Sequence, residues 1–136
     1  MPNNKPIGVA YLDQDIVGAQ FLLSDEQLGY TTAAQGAVTQ ATDKSTAVTL
    51  NRPAGRITMN AASLAANTAV SFTLNNSFIS SNDLIIVNVS AGGTAGAYTT
   101  YISSMTAGSA VVTLRNMTGG ALAEAVVLNY AILHCV

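Results

Sequence analysis

The sequence predicts an all-β protein: an antiparallel β-sandwich, jelly-roll-like, of about eight strands with an extended N-terminal arm. Three observations lead to this prediction. Apolar residues recur with period two in short runs from residue 36 onward, turn-forming residues separate the runs, and no stretch between them has helical periodicity. We therefore divide the 136 residues into an arm, residues 1–35, and one sandwich domain, residues 36–136.

The N-terminal arm is apolar without being amphipathic. It contains Pro2 and Pro6 and has no sustained period, so we expect an extended segment that packs on another surface. One short helix is predicted at Ser24–Gly29, where Ser24 and Gln27 fit a capping box. The arm residues expected to form a partner interface are Ile7, Tyr11, Leu12, Asp13, Asp15, Ile16, Phe21 and Leu23.

Eight runs are predicted as strands because β-branched and aromatic residues cluster or alternate with polar ones. In the fourth run, Phe72 and Leu74 face one side, whereas Ser71, Thr73 and Asn75 face the other. One face of each strand is therefore expected in the core, and the other in water or at an interface. The predicted strands are Ala37–Thr42, Thr46–Leu50, Arg56–Met59, Ala69–Asn75, Leu84–Ala91, Tyr98–Met105, Ser109–Asn116 and Ala125–Leu133.

The outward faces of these strands offer Thr, Ser, Asn and Ala rather than Lys and Glu. Natural sheets commonly protect their edges with charged side chains, and that protection is nearly missing here. We therefore expect the edges to be buried in an oligomer, with a homotrimer as the first expectation and a dimer as the alternative.

Charge is scarce and unevenly distributed. Charged residues make up 9% of the chain, against about 25% in an average domain. Residues 1–35 have a net charge of −3 and the remainder +1, and the five basic residues are scattered. Nucleic acid is therefore not an expected partner, since phosphate binding needs a concentrated positive face. A membrane is not expected either, because polar residues interrupt the uncharged stretch 84–114.

No residue pattern indicates catalysis, a cofactor or a metal. His134 and Cys135 are a nucleophile and a base by type, but adjacent strand residues point to opposite faces. Asp13 and Asp15 lack the further oxygen ligands of a calcium loop. Gly92–Gly96 lacks the Lys-Ser/Thr ending of a phosphate-binding loop. We therefore expect no enzyme activity, no cofactor and no metal.

Two groups of residues have other expected roles. Arg115 and Glu124 flank a Gly-Gly turn, so we expect them to meet across a hairpin if the strands on either side of it pair. Three tyrosines, Tyr98, Tyr101 and Tyr130, offer either a sugar-stacking platform or packing between subunits. Packing is favoured, since the chain has no Trp and few acids to hold sugar hydroxyls. Asp83 and Glu124 are distant from each other and have no His or aromatic platform nearby in sequence, so a role as acid and base is not supported.

Three segments resemble virion proteins of tailed phages, including phages that infect cyanobacteria. The first is TLRNMTGGALAEAVVLNYAIL, Thr113–Leu133, in which Leu-Arg-Asn, Thr-Gly-Gly and Asn-aromatic-Ala match a C-terminal module of that group. The others are VTQATDKSTAVTLNRPAGRITMN, Val38–Asn60, and VSFTLNNSFISSNDLIIVNV, Val70–Val89. The resemblance covers the chain from about Gly36 to its end. It implies a β-sandwich that decorates virions, as a capsid cement protein or a domain of a head or tail fibre, without catalytic residues.

The resemblance and the arm together lead to two functional hypotheses. The first is a capsid cement or decoration protein on the capsid exterior of the virion, which ties together subunits of the major capsid protein. The short chain favours it, because a fibre is expected to add a shaft. The alternative is a receptor-binding tip domain of a head or tail fibre, with glycan bound by the loops at Gly92–Ala97 or Asn76–Asn82.

Overall fold

The computed structural model of the chain describes residues 29–135, which form eight strands in two four-stranded sheets. This confirms the predicted all-β sandwich. A single 3₁₀ turn, Thr32–Ala34, precedes the first strand, and residues 24–28 of the predicted helix lie outside the described part. The strands are β1 (Gln35–Thr39), β2 (Val48–Thr49), β3 (Ala54–Thr58), β4 (Ala69–Asn75), β5 (Leu84–Ala91), β6 (Tyr98–Thr106), β7 (Ser109–Asn116) and β8 (Val127–Leu133).

The two sheets are mixed rather than wholly antiparallel. Sheet I has the strand order β1-β3-β8-β5, and sheet II has the order β2-β4-β7-β6. Four pairings are antiparallel, but β1 pairs with β3 and β2 with β4 in parallel. The reason is that the chain alternates between the sheets from β1 to β4, so each parallel connection runs through a strand of the opposite sheet. These parallel pairs distinguish the sandwich from a purely antiparallel jelly roll.

The predicted strand bounds are right for β4, β5 and β7 and shifted at the N-terminal strands. The chain leaves β1 at Gln40 instead of continuing to Thr42, because the Gln40 side chain donates to the carbonyl oxygens of Lys44 (3.1 Å) and Thr46 (2.9 Å). Those bonds hold a turn where the sequence pattern continues a strand. β1 begins at Gln35, one residue before the predicted start of the sandwich domain.

The core lies between the sheets and consists of the inward faces that period two predicts. On β7, Ala110, Val112 and Leu114 are buried, and on β4 Phe72 and Leu74 meet them from the neighbouring strand. Burial of this kind contributes about 25 cal/mol for each square ångström of apolar surface removed from water. The outward neighbours on β4, including Ser71 and Asn75, remain exposed.

Two edge strands carry a β-bulge with a serine at its centre. Pairing of β5 with β8 skips Ser90, and pairing of β6 with β7 skips Ser103. Each hydroxyl donates back to the adjacent strand, Ser90 to the Val127 carbonyl oxygen (3.2 Å) and Ser103 to that of Val111 (3.3 Å). Bulges of this kind bend an edge strand and increase its twist.

Two buried asparagines organise the loops at the ends of the sandwich. Asn116 follows Leu114 in the inward register of β7, and its amide donates to the carbonyl oxygens of Leu64 (3.1 Å), Ala65 (3.1 Å) and Gly120 (2.8 Å). Asn76 similarly follows β4, and its amide donates to the carbonyl oxygen of Arg52 at 2.7 Å. In residues 29–135 every buried side-chain nitrogen and oxygen has a hydrogen-bond partner.

Candidate interaction surfaces

The arm residues predicted to contact a partner are not among those that the structure describes. This applies to all eight: Ile7, Tyr11, Leu12, Asp13, Asp15, Ile16, Phe21 and Leu23. The structure does establish where the arm joins the sandwich. That junction is at Tyr30.

Tyr30 attaches the junction to sheet I. Its hydroxyl donates to the carbonyl oxygen of Ile132, and its own carbonyl accepts from the Gln35 amide at 3.0 Å. Partial burial, and secondarily the negative charge of Asp83, raise the pKa of Tyr30. A cleft of about 460 Å³ adjoins it. The outward-facing residues of sheet I that line this cleft with Tyr30 are Gln35, Ala37, Ala54, Arg56 and Asn129.

The outer face of sheet I carries an apolar patch at the end where β5 begins. Leu84 and Leu133 are cross-strand partners, 52% and 43% exposed, and Ile86 beside them is 52% exposed. Ile86 pairs with Ala131, which pairs with Ala54 of β3. We call these five residues the apolar patch. Ala54 of the patch pairs with Gln35 of β1, and both residues line the cleft beside Tyr30. The apolar patch therefore adjoins this cleft.

The outer face of sheet II is covered with hydroxyl groups. Ser71 and Thr113 share a hydrogen bond of 2.8 Å, and the Thr113 hydroxyl donates to Ser103 at 3.0 Å. Thr106 and Ser109 share another at 2.9 Å. Because these hydroxyls bond to one another, the face is polar and ordered, and its one charged strand residue is Arg115.

Within the strands, charged side chains occur only on central strands. Arg56 on β3 and Arg115 on β7 are the only charged residues in the eight described strands. The edge strands of sheet I are β1 and β5, and those of sheet II are β2 and β6. All four edges therefore lack the Lys and Glu that commonly prevent edge-to-edge pairing, as the sequence predicted. The bulges in β5 and β6 bend two of these edges and so make them less regular templates for pairing.

His134 pairs with a distant acid rather than with Cys135. Its Nδ1 lies 2.7 Å from Oδ1 of Asp83, whose carboxylate is buried and also accepts from the Ser80 backbone N–H (2.8 Å), the Ser80 hydroxyl (2.8 Å) and the Cys135 N–H (3.3 Å). These bonds, the Ser80 N–H foremost, lower the pKa of Asp83 to about 2. The Cys135 sulfur lies 3.6 Å from the Leu133 carbonyl oxygen. The cluster is a clamp that holds the end of β8 to the β4–β5 turn.

The predicted contact between Arg115 and Glu124 does not form. β7 and β8 belong to different sheets, so the Gly-Gly turn between them is not a hairpin, and Arg115 faces Thr99 on β6 instead. Glu124 accepts hydrogen bonds from the Thr94 N–H (3.1 Å), the Thr94 hydroxyl (2.7 Å) and the Tyr98 hydroxyl (2.8 Å). The Thr94 hydroxyl is the largest cause of the lowered pKa of Glu124.

Two of the three tyrosines lie in the core, which contradicts both predicted roles for them. Tyr98 and Tyr130 are buried, and burial raises the pKa of each to about 12. The Tyr130 hydroxyl donates to the Arg52 carbonyl oxygen (3.0 Å) and accepts from the Asn76 amide (3.2 Å). Tyr101, on the outer face of sheet II, is 48% exposed and remains available to a partner.

The loops proposed for glycan binding differ in their shape. The β5–β6 loop borders a cleft of about 380 Å³, and the residues that line it include Gly93, Thr94, Gly96 and Tyr98. The Thr94 hydroxyl donates to the Glu124 carboxylate. In the β4–β5 loop, by contrast, Asn76 is buried.

Residues 29–135 were also compared with the requirements of a metal site and of a membrane-spanning helix. Between residues 29 and 135, no three His, Cys, Asp or Glu side chains are placed to hold a metal ion. The same segment has no helix that is long and apolar enough to cross a membrane. The chain matches no protein-family model, no curated protein and no solved structure.

Proposed function

We propose that the chain is a structural virion protein, a capsid cement or decoration protein on the capsid exterior of a tailed phage. In this role it stabilises contacts between subunits of the major capsid protein. The observation that supports the proposal is the absence of charge from all four edge strands. An uncharged edge is a template for pairing with another chain, and a protein that works inside an assembly has its edges covered by neighbours.

The N-terminal arm is the proposed fastening to the capsid. Six of the eight residues expected to contact the partner are apolar, and residues 1–35 have a net charge of −3. Apolar burial supplies affinity at about 25 cal/mol per square ångström, while the acids Asp13 and Asp15 select basic patches and set the register. A homotrimer presents three arms, and linked binding events raise the overall affinity without any new contact.

A receptor-binding fibre tip is the second candidate, and the cleft at the β5–β6 loop favours it. Gly96 leaves backbone accessible there, since no atom lies within 4 Å of an added Cβ, and Thr94 is held in place by Glu124. Fixed polar groups around a concave surface are the usual form of a small-ligand site. In this case the occupant is a glycan on the host surface.

Copy number and location distinguish the two candidates. Antibodies against the recombinant chain are applied to purified particles in immunogold electron microscopy, and a quantitative gel gives the number of copies per particle. A cement protein labels the whole head and is present in hundreds of copies, on the order of the capsid subunit number. Labelling at fibre tips, in a few dozen copies or fewer, supports the alternative, and particles without the protein contradict both.

The role of the arm is tested with the full-length chain and capsids that lack it. We expect Asp13→Asn with Asp15→Asn to weaken capture at low salt and to have less effect at high salt, because salt screens exposed charges. Asp43→Asn, an exposed acid of the sandwich, is the matched control. An unchanged salt response in the double variant would contradict the electrostatic contribution of the arm.

A further inference from the structure

We infer that the outer face of sheet I is the docking surface for residues 7–23 of the same chain. The inference concerns the free protein and stands independently of the proposed virion role. It assigns an occupant to the apolar patch of Leu84, Ile86, Leu133, Ala54 and Ala131. Three features support it: the position where the arm joins the sandwich, the distance from there to the patch, and the composition and charge of the face.

The arm joins the sandwich beside its proposed docking surface. Tyr30 is fixed to sheet I through the Ile132 carbonyl and through Gln35, and it lines the cleft that continues in register into the apolar patch. The chain therefore enters the sandwich at this face. The hydrogen bonds of Tyr30 join it to β1 and β8, which both belong to sheet I, and so favour this sheet over sheet II.

The distance is short enough for intramolecular docking. Leu23 and Tyr30 are seven positions apart in the chain, and seven residue steps span at most about 25 Å when extended. The four strands of sheet I lie about 4.8 Å apart, so the face is about 15 Å across. A tether of this length gives an effective concentration in the millimolar range. The arm of the same chain is therefore favoured over the arm of a second copy in dilute solution.

The composition of the arm complements that of the face. The patch supplies three large side chains that are about half exposed, and the segment 7–23 supplies Ile7, Ile16 and Phe21 among its apolar residues. The only charged residue in the strands of sheet I is Arg56, and the charged residues of the segment are the acids Asp13 and Asp15. Apolar surface meets apolar surface, and the single positive charge faces two negative ones.

The single cysteine provides the test. Cys135 is exposed, and its N–H is bonded to Asp83, the residue before Leu84, so a nitroxide on its sulfur lies at the edge of the patch. The ¹⁵N-labelled full-length chain carries this nitroxide, and its reduced form is the reference. We expect the amide signals of residues 7–23 to be broadened selectively. Arm signals that match the reference would overturn the inference.

Two variants separate docking from mere proximity. Leu84→Ser with Ile86→Ser removes the large side chains of β5 from the patch, and we expect the broadening of residues 7–23 to be lost. Tyr101→Ser removes a side chain of similar exposure from sheet II, and we expect the broadening to persist. The signals of residues 35–133 report that each variant is folded. Broadening that survives in the double variant would overturn the assignment of the patch.

A mixed sample identifies the source of the arm. Chains that carry ¹⁵N but no nitroxide are mixed with chains that carry the nitroxide but no ¹⁵N. Any broadening of the observed signals then arises between two molecules. We expect none. Broadening in this sample would mean that a second copy supplies the arm, and would overturn docking within one chain.

Discussion

The ammonium nitrogen of Lys44 lies 2.5 Å from the backbone carbonyl oxygen of Glu124, eighty residues later in the chain, and 2.5 Å from that of Asn60. Lys44 is only 3% exposed, and this burial lowers its pKa. It joins the β1–β2, β3–β4 and β7–β8 connections at one end of the sandwich. In the sequence, Lys44 looks like an exposed charged residue in a turn. In the structure, its hydrogen bonds hold together connections that link the two sheets.

Replacing this ammonium group should destabilise the fold. Lys44→Met keeps an unbranched side chain but leaves two partly buried carbonyl oxygens without this donor, and we expect the free energy of unfolding to fall by about 1–3 kcal/mol. Urea denaturation at neutral pH measures the change. Arg115→Met, which also removes a cation but from an exposed position, is the control and should have little effect. Equal stabilities of the two variants would mean that the carbonyls find other donors.

The clamp at Asp83 predicts acid sensitivity. Its pKa is about 2 in the folded protein against 3.8 for a free aspartate, so the folded state favours the carboxylate. The stabilisation is complete above pH 3.8 and is lost as the pH falls through about 2. We expect Asp83→Asn to be less stable than the wild type at pH 5, with the difference disappearing near pH 2, in denaturation curves measured across this range. A difference that is independent of pH would contradict the role of the charge. Ser80→Ala, which removes the hydroxyl but keeps the N–H, should show a smaller effect.

The buried amide of Asn116 predicts a second weak point. Asn116→Ala removes a buried amide that donates to Leu64, Ala65 and Gly120 and accepts from the Thr118 N–H. We expect a loss of about 1–3 kcal/mol, because the Thr118 N–H loses its acceptor and each of the three carbonyls loses one of its donors. Asn88→Ala, on the exposed face of β5, is the control. Denaturant titration of both variants gives the comparison, and a loss as small as that of the control would contradict the bonding role.

Local patterns predict the strands of this sandwich well, and they predict strand partners poorly. Alternation of side chains is visible within one run, so the predicted bounds of β4 and β7 are correct. Which strands pair depends on contacts between residues far apart, and the hairpin that a contact between Arg115 and Glu124 required does not form. The proximity of His134 to Asp83 follows from the pairing of Leu84 with Leu133, which no local pattern contains.

Buried polar residues are partly predictable. Asn116 continues the inward alternation of Val112 and Leu114, a signal that could have placed it in the core. Lys44 has no such signal, because it lies in a connection without periodicity. The arm contacts remain predictions, since residues 1–28 are outside the described part. The functional hypothesis therefore depends on the resemblance to phage virion proteins, the composition of the arm and the uncharged edges, not on a chemical site.

Gly55 illustrates how tightly the parallel pair of sheet I packs against the β2–β3 connection. Gly36 and Gly55 are partners in the pairing of β1 with β3, and the Leu50 side chain lies over both. A methyl group on Gly55 would lie 2.7 Å from Leu50 Cδ2 and 2.9 Å from the backbone oxygen of Gly36. The leucine can move aside, but the backbone oxygen of a paired strand cannot do so easily.

We therefore expect Gly55→Ala to lower the free energy of unfolding by about 1–3 kcal/mol, the usual effect of overpacking. Gly36→Ala should have a smaller effect, because its nearest contacts are the side chains of Leu50 and Arg52. Gly119→Ala is the control, since no atom lies within 4 Å of the added methyl group. Urea denaturation of the three variants should rank Gly55→Ala as the least stable. If Gly55→Ala is as stable as the control, the strands of sheet I must be able to separate to admit the methyl group, and the close packing of β1 on β3 is not required for the fold.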